Sequence, residues 1–70
     1  MPKGVVKEYN SNCGCGIIVD SETGKNLILY ANYIIGRREE MIQEGQFVEY
    51  AIEKKRNENW AVNVRFINWN

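Results

Sequence analysis

Seventy residues make one small domain and leave little room for a second core or a deep catalytic cleft, so an enzyme is not expected. Nine Lys and Arg balance nine Asp and Glu, so no global field draws in a polyanion and any nucleic-acid contact needs a local patch. His is absent, which removes the commonest general base and metal ligand, while 44% hydrophobic and 26% charged residues place the chain with globular rather than disordered sequences.

The opening MPKG has no apolar stretch behind a basic region, and no apolar run approaches membrane-spanning length. The expected location is therefore the cytoplasm, with no membrane partner. Pro2 is the single proline, so every later segment is free to pair in a sheet. Lys3 to Tyr9, with Val5 and Val6, reads as a first strand that ends at the turn-forming cluster Asn10-Ser11-Asn12. Cys15 to Val19 reads as a second, with Ile18 on one face and Cys15 and Ile17 on the other by the two-residue period. Asp20 to Asn26 is polar with one glycine, as expected of a hairpin loop longer than two residues.

Leu27 to Ala31 forms the third strand, sending Leu27 and Leu29 inward and Ile28 and Tyr30 outward. Asn32 to Gln43 has no clean period around Arg37-Arg38-Glu39-Glu40 and reads as a long connection with a short helical turn. Glu44-Gly45-Gln46 turns into a fourth strand, Phe47 to Lys55, with Val48, Tyr50 and Ile52 on one face. Lys54 to Asn59 is a hydrophilic hairpin tip, and Trp60 to Phe66 returns as a fifth strand with Val62, Val64 and Phe66 together. Trp69 sits in a short tail. No repeat, linker or low-complexity segment interrupts the chain, so residues 1–70 are expected to form a single domain.

Five short antiparallel strands with a long excursion between the third and fourth suit an all-β Greek-key barrel of the OB-fold type. The chain also resembles the bacterial cold-shock proteins. Their opening pattern, glycine, any residue, Val-Lys-Trp-Phe-Asn, falls on Gly4 to Asn10, and their Lys-Gly-Phe-Gly-Phe-Ile falls on Cys13 to Ile18. Their Val-Phe-Val-His-Phe-Ser lies on Leu27 to Asn32, their Glu-Gly-Gln on Glu44-Gly45-Gln46, and their Ala-x-Asn-Val on Ala61-Val62-Asn63-Val64.

The resemblance implies a barrel that binds single-stranded RNA or DNA by stacking bases on rings of the first three strands, each stack contributing about 1–3 kcal/mol. Those positions are rewritten here. Glu8 stands for tryptophan, Cys15 and Ile17 for two phenylalanines, Ile28 and Ala31 for two more, and Tyr30 for histidine. Tyr9 and Tyr30 are the rings left on those strands. Losing four or more stacks removes roughly 4 kcal/mol, about a thousandfold in affinity, and a carboxylate at Glu8 adds repulsion toward phosphate.

Each candidate binding residue carries two readings. Lys7 could pair with a phosphate or stay solvated; Tyr9 and Tyr30 could stack bases or cover apolar surface. The run Lys54-Lys55-Arg56 could touch a nucleic-acid backbone or belong to a soluble loop, and Trp60 could stack or pack on the barrel edge. Cys15, Ile17, Ile28, Ala31 and Tyr30 together would form an apolar outer patch, which instead suits a protein partner or a homodimer.

Cys13 and Cys15 are too close in sequence to staple distant strands, and ordinary free thiols are the default expectation. Two thiols on one side of an extended chain could be oxidised together or hold a soft metal. A zinc site wants four ligands and would need a dimer, so no metal and no cofactor is expected. No nucleophile has a nearby base, so no catalytic residue is assigned.

Overall fold

The computed structural model describes residues 2–36 and 42–67. Its strands are β1 (Lys3–Asn10), β2 (Cys15–Asp20), β3 (Asn26–Tyr30), β4 (Phe47–Lys55) and β5 (Glu58–Phe66), with a short 3-10 helix at Ala31–Tyr33. They close into a barrel in the order β1-β2-β3-β5-β4, the five-stranded all-β architecture expected from the sequence. Neighbouring strands run antiparallel except at the seam between β3 and β5, which is parallel. The seam follows because β4 pairs with β1 and not with β3, so β5, returning antiparallel from β4, closes against β3 in the same direction. Arg37 to Met41 and Trp69, singled out from the sequence, lie outside the described residues.

Alternation fills the interior. Val6, Ile18, Leu27, Leu29, Val48, Tyr50, Ala61 and Val64 form the buried cluster, joined by Ile42 from the segment before β4. Each fully buried Val, Leu or Ile contributes on the order of 1.5–3 kcal/mol, so this cluster is the main source of stability in a chain of this size. Tyr9, Ile34 and Phe66 pack against it from the rim.

Two extra residues shift the alternation, and both alter what the sequence led one to expect. On β1, Val6 pairs with Ile18 and Glu8 with Ile17, so Lys7 has no opposite number and bulges. Lys7 and Glu8 are consequently both exposed. On β5, Asn63 adopts a left-handed φ of 53° between the pairs Glu49–Arg65 and Ala51–Val62. Asn tolerates that conformation better than most residues. The extra residue puts Ala61, not Val62, on the core side with Val64; Val62 is buried but lies outside the core cluster.

Ile52 also departs from the expected inward face of β4, with 47% of its surface exposed. It pairs with the fully buried Ala61, yet it borders an open hollow with Pro2, Asp20 and Thr23. The expected hairpin tip from Lys54 to Asn59 is shorter than predicted. Arg56 and Asn57 alone make the turn, with φ of 50° and 65°, and pairing continues to Lys55 and Glu58. A two-residue turn with both φ positive matches strand twist, which lets both strands extend to it.

Asp20, expected in a polar loop, is buried at the end of β2. Tyr50 donates its hydroxyl to Asp20 Oδ1 at 2.6 Å, and the Glu22 and Thr23 amides and the Thr23 hydroxyl donate to Oδ2. The Tyr50 hydrogen bond, with help from Thr23 and Glu22, holds the Asp20 carboxyl below its ordinary value despite the opposing effect of burial. Burial, then the adjacent Asp20 carboxylate, pushes the Tyr50 hydroxyl well above its ordinary value.

Candidate nucleic-acid interface

The register determines which side chains share the outer face of β1, β2 and β3. Glu8 stands opposite Ile17, Ile17 opposite Ile28, Ile28 beside Trp60, and Trp60 opposite Glu53. One row therefore crosses all five strands, apolar in the middle with a carboxylate at each end. The next row holds Asn10, Cys15 and Tyr30. Tyr30 is 38% exposed, and Ile17 and Ile28 are half-buried, so these side chains occupy the solvent side of the sheet as alternation requires.

Tyr9 is different. It pairs with Gly16, which pairs with the buried Leu29, so Tyr9 belongs to the inward phase and packs against the core. Gly16 makes room for it: a Cβ there would collide with the Glu8 carbonyl and come within 3.0 Å of Tyr9 Cα and ring Cδ1. Of the two readings open for Tyr9, covering apolar surface describes most of its contact, while one edge still borders the shallow concavity on the outer face.

That concavity gathers Tyr9, Cys15, Ile17, Ile28 and Tyr30 with Glu8 and Cys13. Trp60 joins through Tyr30, the two ring centroids lying 4.8 Å apart with planes at 31°. Lys7 and Arg56 are not brought in; Lys7 is exposed on the β1 bulge and Arg56 at the β4–β5 turn. Ala31 is half-buried and starts the 3-10 helix instead of ending β3.

The structure adds Tyr33, which was not singled out from the sequence, and selects Lys55 from the basic run Lys54-Lys55-Arg56. Tyr33, at the end of the 3-10 helix, meets Trp60 edge-on with centroids 6.3 Å apart. Lys55 Nζ donates to the Tyr33 hydroxyl at 2.8 Å and lies 5.0 Å from the Tyr33 ring and 5.6 Å from that of Trp60. The Tyr33 hydroxyl, and then the Glu53 carboxylate at 3.5 Å, hold the Lys55 ammonium above its ordinary value. The result is three rings and a cation at the β3–β5 side of the face, which suits planar, electron-rich groups attached to anions. Lys55 belonged to a visible basic run, but Tyr33 stands in a segment without periodicity, where nothing local indicated its neighbour.

Cys13 and Cys15 are joined in a disulfide with Cα atoms 5.4 Å apart, in place of the free thiols expected by default. The spacing that brings both side chains to one side also lets the sulfurs meet across the left-handed Gly14, φ 67°. Among the described residues, no group of three or more His, Cys, Asp or Glu is placed to hold a metal ion. No described helix is long and apolar enough to cross a membrane.

The family model of the "cold-shock" DNA-binding domain matches residues 2–67. The Cold shock-like protein CspC of Buchnera aphidicola is 36% identical over 62 residues, covering 89% of this chain and 90% of that protein. Its namesake in Escherichia coli strain K12 is 34% identical over 65 residues, covering 93% and 94%. Among solved structures, drosophila Unr CSD456 superposes with a TM-score of 0.78 at 15% identity over 99% of this chain. The chain spans 27% of that longer protein, and the likeness concerns the fold. The barrel with its outer face on β1 to β3, together with these matches, establishes that this chain belongs to the cold-shock domain family.

Proposed function

We propose that this protein is a cytoplasmic single-stranded nucleic-acid binder whose bases rest on the outer face of β2 and β3 and stack at the Tyr30–Trp60 pair. The observation that carries this reading is the cluster of Tyr30, Trp60 and Tyr33 around Lys55, adjoining the apolar pair Ile17 and Ile28. Rings supply stacking to any base, and Lys55 and Arg56 supply positive charge for the backbone. Cys15, Ile17 and Ile28 give the bases an apolar floor but no π-face. Tyr9 contributes one edge at the β1 margin of the concavity, where Glu8 opposes phosphate, and Lys7 on the adjoining bulge offers exposed positive charge outside it. Binding is accordingly weaker than that of a ring-rich platform, and its centre lies toward β5.

Titration of labelled oligo-dT and oligo-U at low salt tests this. Saturable binding is expected, weakened roughly tenfold or more by Trp60→Ala or Tyr30→Ala. Binding that falls with salt yet ignores both substitutions would reduce the interaction to charge attraction. Micromolar protein that leaves the label unaffected, with a dimer in sedimentation, would instead assign the apolar face to self-association.

A further inference from the structure

The bridge between Cys13 and Cys15 is not accounted for by base stacking. As a staple it does little, because it encloses Gly14 alone and the chain entropy removed by a cross-link grows with the loop it closes. Nor does it join separate elements. The β1–β2 ladder already ties these strands, and the Gly14 amide donates to the Asn10 carbonyl at 2.9 Å.

Its placement is more informative. Cys15 is the register partner of Tyr30, and both sulfur-bearing residues border the concavity above Ile17 and Ile28. The Ala31 amide donates to the Gly14 carbonyl at 2.9 Å, so the bridged loop is hydrogen-bonded to the residue that follows Tyr30. Cys13 is exposed and Cys15 half-buried, which leaves the Cys13 sulfur open to attack.

We infer that Cys13-Gly14-Cys15 is a reversible two-electron thiol–disulfide site, exchanging with a dithiol, whose bridged form holds the platform edge in its binding shape. The site rests on the nucleic-acid reading for its consequence and on the cytoplasmic location for its reversibility, since disulfides in reducing compartments are mostly transient or sensing. In the reductive direction, a thiolate of the dithiol attacks Cys13 Sγ, breaks the bond to Cys15 Sγ, and forms a mixed disulfide at Cys13. Cys15 leaves as a thiolate and takes up a proton. The dithiol's second sulfur then attacks its own sulfur in the mixed disulfide and releases Cys13, which is protonated in turn. Two electrons and two protons pass to the protein, and the dithiol becomes a cyclic disulfide.

Reduction releases the local constraint at Gly14, and the Gly14–Ala31 hydrogen bond carries that change to the residue after Tyr30. A loop that must then be ordered on binding weakens affinity by about three- to tenfold.

The test equilibrates the full chain in mixtures of reduced and oxidised dithiothreitol. It follows thiols by alkylation and intact mass, the Gly14 and Ala31 amides by NMR, and oligo-dT affinity by titration. A two-electron transition that moves both amides, with the oxidised form binding three- to tenfold more tightly, supports the site. A C13S/C15S variant is expected to bind like the reduced protein at every poise. Equal affinity in both states with unmoved amides overturns the inference while leaving nucleic-acid binding intact. Thiols at every poise, or bridges formed between chains instead, overturn it as well. If the amides follow the poise but neither state binds, the redox site stands and the nucleic-acid reading falls.

Discussion

The two ends of β2 are built on opposite plans. At Asp20 the strand ends in the interior, where a 5% exposed carboxylate accepts four hydrogen bonds and one donor is the fully buried Tyr50 of β4. Even the neighbouring backbone is closed in: a Cβ on Gly4 would collide with the Val19 carbonyl and approach the Tyr50 hydroxyl to 2.8 Å. At Cys15 the same strand starts on the surface, with its sulfur bonded two residues away and its neighbours facing a concavity. Polar atoms at the first end are satisfied within the fold. Groups at the second end face outward, available to something else. A barrel this small can leave one end of its sheet apolar and open because the other end is fastened across strands.

Breaking the fastened end gives the largest expected effect. Tyr50→Phe removes the shortest donor to Asp20 and leaves a buried carboxylate with the turn amides and Thr23 alone. The cost is about 2 kcal/mol, or a fall in Tm of roughly 10 °C, read by urea and thermal unfolding. Oligonucleotide affinity of the folded fraction should not move. A change in affinity without a change in stability would mean that the two ends are not separate.

Acid sharpens the same contrast. The folded-state value of Asp20 is depressed below 3.8, so its contribution is complete above that pH and is lost as pH falls through the folded value. Tyr50 acts in the opposite sense. Its folded value is raised above 10.0, so its contribution is complete below that pH and declines as alkali approaches the folded value. Wild-type Tm is expected to drop on both flanks, and Tyr50→Phe to flatten both. A variant that keeps the wild-type slope below pH 3.8 would place the acid-sensitive interaction elsewhere.

Alternation alone made the fastened interior legible. Val6, Ile18, Leu27, Leu29, Val48 and Tyr50 fall where a two-residue period puts them. It failed where the chain inserts a residue. Neither the bulge at Lys7 nor the one at Asn63 changes the composition of its strand, so Val62 looked like a core residue and Ala61 did not. Ile52 has the right phase and pairs with the buried Ala61, but the hollow it shares with Pro2, Asp20 and Thr23 leaves it exposed, and nothing in its strand marks that. Asp20 was lost because a turn-forming residue beside Ser, Thr and Gly looks solvated unless its partner, thirty positions away, is known. The outer face was legible in the same measure: Ile17, Ile28 and Tyr30 by period and Lys55 within its basic run, but not Tyr33 or its meeting with Lys55, which closure of the barrel produces.

The smallest expected effect probes where on the open face a strand of nucleic acid runs. Glu8 and Glu53 end the same row, but Glu53 lies 3.5 Å from Lys55, whereas Glu8 stands beside Ile17 at the margin of the concavity. Glu8→Gln keeps shape and hydrogen-bonding capacity while removing one exposed negative charge, so folding stability should be unchanged within experimental error. If the backbone passes over β1, affinity for oligo-dT rises about two- to fivefold at low salt, and the gain fades as ionic strength increases. If affinity does not respond while Trp60→Ala still weakens it, the ligand lies wholly on the β3–β5 side. The face would then consist of a ring-and-cation site next to an apolar floor that bases do not reach.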